Sequence, residues 1–303
     1  VKNTRLLAVT TPSLDAQQVR NGREAFARMG FSREECKLMD YEESFYYYIF
    51  TQKKDLWNRN IAWYSFDGND VTYRNFEMKN TEKNVQIRLS EPQYTVLPVE
   101  GPVRDAAFAR FIRETIKGEF ISSVHLNGEG FDQEWAGESI KLMCFQRRKV
   151  FYGNNLYARG ACASGVEKTE EKNLKNYRFM SSSLVTHSVG MDMRVNGANA
   201  FHPLLEAGIN WFECSGGCEL ILDRAEELIF SVSDGVEKWK ISMELPGVPK
   251  RPNKTTRLSL HMEYVSKDEC VITVKDLGFG DLFPSTGKIW KERTNWLKGE
   301  AEA

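Results

Sequence analysis

The sequence predicts an α/β domain followed by an all-β sandwich, and three observations carry that prediction. Strand and helix signals alternate from the N-terminus to about residue 165. The stretch 166–176, VEKTEEKNLKN, has only Val166 and Leu174 as strongly apolar residues and predicts a linker. Beyond it, short period-two runs separated by Gly, Asn, Pro and Asp predict a sandwich over 177–291, with 292–303 as a tail.

The elements follow in order. TRLLAVTTP is a strand closed by Pro12, and LDAQQVRNGREAFARMG is a helix with Val19, Ala25 and Phe26 on one side and Gly30 as its stop. CKLMDYEESFYYYIFTQ is a short strand running into a helix. NIAWYSFDGNDVTYRNFEM, residues 60–78, is a β-hairpin, because aromatic and β-branched runs flank a turn whose residues tolerate positive φ. A polar connector runs through EPQYTVLPVEGP. VRDAAFARFIRETIKG is a helix whose apolar stripe comprises Val103, Ala107, Phe108, Phe111, Ile112 and Ile116. ISSVHLNGEGF is a strand entering a glycine-bearing loop, GESIKLMCF starts a helix or turn, and GNNLYARGACASG is a compact helix. In the second half, SVGMDMRV, CELILD, ELIFSVSDG, EKWKISMEL, RLSLHMEYVS and CVITVKDLGFG are strands. CSGGC is a hairpin turn between Cys214 and Cys218, and KIWKERTNWLKGEAEA ends the chain as a short helix with a charged tail.

Composition narrows the function classes. The 303 residues carry 41 basic and 42 acidic side chains, so no net field draws nucleic acid or an anionic membrane surface. No apolar run approaches the ~18 residues of a bilayer span, and a cytoplasmic protein is expected. The six cysteines are scattered, which suits reduced thiols better than a disulfide framework. The four histidines form no metal-ligand spacing. Glu42 and Glu43 could be paired carboxylates, but adjacent helical residues point about 100° apart. QRRKV reads as a solvated loop, and the Ser183 and His187 pair lacks a nucleophile elbow.

Taken in order, these pieces resemble the DnaK-type heat-shock chaperones within the actin-like ATPase superfamily. AVTTPSLDAQQVRNGREAFARMGF resembles the family's entry into the second half of its first lobe, and LMDYEESFYYYIF the interdomain helix that begins with a catalytic-side glutamate. NIAWYSFDGNDVTYRNFEM aligns with the hairpin that binds the β- and γ-phosphates. SSVHLNGEGF resembles the adenosine strand and loop, and GNNLYARGACASG the helix closing the ATPase domain. SVGMDMRVNGANAFHPLL and the stretch from WKISMEL to DLGFG are similar to strands of the peptide-binding β-sandwich. The resemblance thus implies a partial actin-like, ribonuclease H-like ATPase domain over 1–165, joined to a peptide-binding-like sandwich.

The departures shape the functional expectation. The family's first phosphate hairpin has no counterpart, so about half an ATPase domain is expected. Its D-x-G-G-G-T pattern becomes Ser65, Phe66, Asp67, Gly68, Asn69, Asp70, with Ser65 where the metal-holding aspartate is expected. Two carboxylates would then lie beside polyphosphate, and like charges at ~4 Å repel by roughly 1 to 4 kcal/mol. Ser65, Glu42 and Glu43 are therefore degenerate catalytic positions. Gly68, Asn69, Asn127, Gly128 and Gly130 would hold nucleotide if that function is retained, and Met191, Leu222 and Leu228 are the groove candidates implied by the alignment. The expected function is a degenerate chaperone-like protein that binds a protein or extended peptide, with no cofactor and no metal, nucleic acid or membrane. The alternatives are an ATP- and magnesium-dependent chaperone whose N-terminal half is absent from this chain, and a structural assembly module.

Overall fold

The computed structural model describes residues 4–80, 84–171 and 173–297. The chain divides into two compact units, Val1–Ser181 and Ser182–Ala303. Among the described residues no helix is long and apolar enough to cross a membrane.

Unit 1 opens with β1 (Leu7–Thr11), α1 (Ala16–Arg28) and β2 (Cys36–Asp40), the two strands pairing in parallel. A capping box starts α1: Asp15 accepts from Gln18 N–H at 2.7 Å while the Gln18 side chain accepts from Asp15 N–H at 3.1 Å. Then come α2 (Tyr41–Phe50), β3 (Asn60–Asp67), β4 (Asp70–Asn80), β5 (Val85–Leu89), β6 (Gln93–Val96), α3 (Gly101–Thr115) and β7 (Ile121–Glu129). The unit ends with α4 (Gly137–Met143), β8 (Lys149–Tyr152), α5 (Leu156–Val166) and β9 (Tyr177–Phe179). The larger sheet runs β8-β7-β3-β4-β5-β9, with β6 also paired to β4. β4 is antiparallel to β3, whereas β7 runs parallel to both β3 and β8.

Alternation along β3 sends side chains to two cores. Ala62, Tyr64 and Phe66 join Phe108, Phe111 and Ile112 of α3 and Met143 of α4. Ile61 and Trp63 join Phe45, Ile49 and Phe50 of α2 and Leu156 of α5. Helices therefore cover both faces, and the mixed sheet fits the α/β expectation.

Unit 2 contains β10 (Ser188–Val195), β11 (Ala198–Leu205), β12 (Ser215–Ile221), β13 (Glu227–Ser233), β14 (Lys238–Glu244), β15 (Arg257–Ser266), β16 (Glu269–Asp276) and β17 (Ile289–Thr294). They form two four-stranded sheets, β11-β10-β13-β14 and β12-β15-β16-β17, antiparallel throughout. Leu228, Phe230 and Val232 of one sheet and Leu258, Leu260 and Met262 of the other alternate into the core. Asp276 is buried with Arg251, which forks onto both carboxylate oxygens at 2.9 Å. Burial alone would raise its pKa, but Arg251 and the Thr286 and Gly278 donors hold it well below the usual carboxylate range.

The structure differs from the sequence reading at several elements. The expected linker belongs to unit 1: Glu167–Glu171 continues α5 as a π-helical turn, Leu174 is buried, and β9 pairs with β5. The expected turn in CSGGC is the start of β12, which runs from Ser215 through Cys218. An added Cβ at Gly216 would stand 1.9 Å from Leu204 O, and one at Gly217 2.2 Å from Leu260 O, so these glycines admit neighbouring backbone. The expected final helix is β17, and Trp296 in the expected tail is fully buried; residues 298–303 lie outside the described residues. The polar connector holds β5 and β6. In α3, Val103 is half exposed while Arg104 is buried.

Candidate functional site

The sequence-predicted positions of unit 1 converge on the end of the sheet where β3 and β7 finish. Their parallel register continues through Ser65 against Asn127, Phe66 against Gly128 and Asp67 against Glu129. Between β3 and β4, Gly68 takes φ of +61° and is followed by Asn69, the pattern of a type II′ hairpin with glycine first.

That turn is docked. Gly68 N–H donates to Glu129 O at 2.8 Å, so the strand ladder continues into the loop. Cβ atoms at Gly128 and Gly130 would lie 2.0 Å from Phe66 O and Gly68 O, so only glycine allows this approach. Arg104, 6% exposed, fastens the junction. Its guanidinium donates to Asn69 Oδ1 at 2.6 Å, Gly68 O at 2.7 Å, Pro98 O at 3.0 Å and Gly130 O at 3.1 Å, and lies 4.9 Å from the Trp135 ring. Its partners are neutral oxygens, and burial lowers its pKa.

On the opposite face of β3 a second set of groups closes the space beside Ser65. Asn127 is buried, accepts from Trp63 Nε1 at 2.6 Å and donates to the Tyr157 hydroxyl at 2.7 Å. The Ser65 side chain hydrogen-bonds the same hydroxyl, and Tyr157 stacks on Tyr41 with centroids 3.9 Å apart. Burial raises the Tyr157 pKa, opposed by the Asn127 and Ser65 bonds. Tyr157 is held by helix pairing, its carbonyl accepting from Ser44 Oγ. Gly128 N–H donates to Asn154 Oδ1 at 3.2 Å.

The two glutamates diverge. Glu42 pairs with Arg74, and Glu43 with Lys37 at 3.1 Å, while Glu43 N–H donates to the helix-capping Asp40 at 2.7 Å. Ser65, Asn127 and Glu42 thus share one sheet end, but each is committed within the chain. Sequence reasoning missed Arg104 and Tyr157, which do most to fill this end. The groove candidates Met191, Leu222 and Leu228 are buried core side chains of unit 2. A cavity of about 480 Å³ lies at the other end of the sheet of unit 1, bordered by Lys54, Trp57, Arg59 and Phe120, away from all these positions. Among the described residues no group of three or more His, Cys, Asp or Glu could hold a metal ion.

Comparison with known proteins adds family membership. No curated protein matches the chain. Similar solved structures include a Bacteroides thetaiotaomicron protein with an actin-like ATPase fold and unknown function. It is 15% identical with a TM-score of 0.30, and the match covers 50% of this chain and 52% of that one. Another is RuvC of Thermus thermophilus, 10% identical with a TM-score of 0.25, covering 31% of this chain and 63% of that one. The chain spans about half of the first and under two thirds of the second. Residues 184–296 match a domain of unknown function, DUF8552. Residues 1–182, more than half of the chain, match the C-terminal model of the family of unknown function DUF5716, and the chain belongs to that family.

Proposed function

We propose that this chain is a chaperone-like binding protein of actin-like ancestry that holds a protein or extended peptide without hydrolysing ATP. The observation that carries the reading is the internal occupation of the phosphate-hairpin end. Arg104 takes the turn's carbonyls, Glu129 O takes the Gly68 N–H, and Tyr157 takes Ser65 and Asn127. A phosphate placed there would have to displace partners already satisfied.

Peptide binding draws support from the β10–β11 hairpin of unit 2. Asn196 and Gly197 have φ of +50° and +86°, a type I′ turn. Around it Asp192, Arg194, Val195, Asn199, Ala200 and Phe201 are exposed, with Met193 partly so, and a cavity of about 400 Å³ lies among Asp192, Met193, Arg194, Asn199, Ala200 and Phe201. This surface replaces the buried groove candidates as the place for an extended apolar segment. The test has two arms. Incubation with ATP and magnesium should release no phosphate above buffer, and a fluorescent apolar heptapeptide should bind wild type and lose about tenfold affinity in Phe201→Ser. Steady phosphate release, or binding indifferent to Phe201, overturns the reading.

A further inference from the structure

The edge strand β6 of unit 1 offers a second surface. Among the described residues it pairs only with β4. Leu97 N–H donates to Asn69 O at 2.8 Å, so antiparallel alternation turns Thr95 and Gln93 toward β4 and the backbone groups of Tyr94 and Val96 outward. The Tyr94 and Val96 side chains are 71% and 70% exposed, and Val99, just beyond the strand, 82%. Tyr94 and Val96, two apart on one strand, share a face of this edge, and Val99 follows the strand as a third exposed apolar residue.

Three carboxylates flank the strand in sequence and register, and the two arginines beside it are engaged within the chain. Asp70 is the register partner of Val96, Glu91 lies just before the strand, and Glu100 lies just after Val99. Among the described residues none of these three has a salt-bridge partner. Arg74 on β4 is committed to Glu42 and to Ser90 O, and Arg104 to the turn. Pro92 and Pro98 bracket the strand, limiting any added ladder to a few residues.

We propose that β6 is a docking edge for a short, extended, basic segment of a partner polypeptide. The segment adds as a strand on the Tyr94 and Val96 main chain, lays β-branched side chains on Tyr94, Val96 and Val99, and sets Lys or Arg against Asp70, Glu91 and Glu100. This rests on the reading of the chain as a polypeptide binder and adds a site to it.

The experiment uses the full chain with the probe peptide acetyl-Lys-Val-Thr-Val-Thr-Lys-amide, followed by fluorescence anisotropy and amide hydrogen exchange. At saturation, exchange at Tyr94 and Val96 should slow by about threefold or more. Val96→Pro, which removes an outward N–H and spares the bonds to β4, should weaken binding about tenfold, and an all-Glu analogue of the peptide should bind at least about tenfold more weakly. Unchanged exchange protection along β7 verifies that the variant is folded. Equal binding of the basic and acidic peptides, no slowing at about 1 mM peptide, or an indifferent Val96→Pro overturns the proposal. So does protection of β6 that rises with protein concentration alone, which assigns the edge to a second copy. Binding lost in Phe201→Ser but kept in Val96→Pro overturns this site while leaving the hairpin of unit 2 in place.

Discussion

Two hairpins in this chain, β3–β4 and β10–β11, have similar sequence signatures and opposite fates. Each has a polar two-residue turn containing glycine, and at each an arginine donates to a turn carbonyl. Arg104 reaches Gly68 O at 2.7 Å and is buried; Arg194 Nε reaches Gly197 O at 3.0 Å and is exposed. The first turn is welded to the end of β7, whereas the second projects with most of its side chains in solvent. A turn's local sequence decides its backbone geometry, and the partners brought from distant segments decide whether it is available to a ligand.

The largest test of that contrast is to remove each arginine. Arg104→Ala should cost about 2 to 3 kcal/mol, since it removes four hydrogen bonds and the packing of a buried side chain on Trp135, whereas Arg194→Ala should stay within about 0.5 kcal/mol. Exchange of the Gly68 amide reports the first and urea denaturation the second. Next comes glycine: Gly130→Ala puts a Cβ 2.0 Å from Gly68 O, while at Gly197 nothing among the described residues lies within 4 Å. The expected losses are about 3 kcal/mol and about 1 kcal/mol, and comparable losses would show that the docked turn has slack.

Acid should separate the units. His125 in unit 1 is fully buried among Phe45, Tyr48 and Phe151, and burial lowers its pKa to about 3. The unfolded state, with an ordinary pKa near 6.5, then binds the proton that the folded state refuses. Its stabilising contribution is present above pH 6.5 and falls by up to ~1.4 kcal/mol per unit as the pH drops toward 3. His125→Phe should flatten this slope in a pH series of urea melts. Tyr157→Phe should cost less than either change at the docked turn, about 1 to 2 kcal/mol, by leaving the buried Asn127 amide short of an acceptor. ATP binding gained in that variant would identify the tyrosine hydroxyl as the group that closes the site.

Much of the fold was legible because strong periodicity reports burial. The β3–β4 hairpin, α1 and the period-two strands of unit 2 read directly from spacing. The failures have physical causes. β6 is four residues between two prolines, too short for alternation to register, and its exposed tyrosine and valine lack the inward pattern of a strand. In α3 hydropathy places Val103 on the buried stripe and Arg104 off it, yet a guanidinium that finds four oxygen acceptors and an aromatic ring can be buried. Gly216 and Gly217 read as a turn because sequence does not distinguish glycine needed for positive φ from glycine needed for close approach. At the candidate site Ser65 and Asn69 are legible from their places in and after the hairpin strand, but Tyr157 is not, since its hydroxyl meets Asn127 only after α5 folds back over the sheet.

The buried arginine also has a consequence for the order of folding. Its bonds to Gly68 and Gly130 join residues 36 and 26 apart in sequence, whereas the β3–β4 hairpin is local. The hairpin can form early, but the guanidinium finds its full set of acceptors only once β7 has docked. Late-forming contacts influence escape from the native state more than arrival at it. Arg104 variants should accordingly accelerate unfolding while leaving the refolding rate nearly unchanged, which makes this side chain a determinant of how long the docked turn persists.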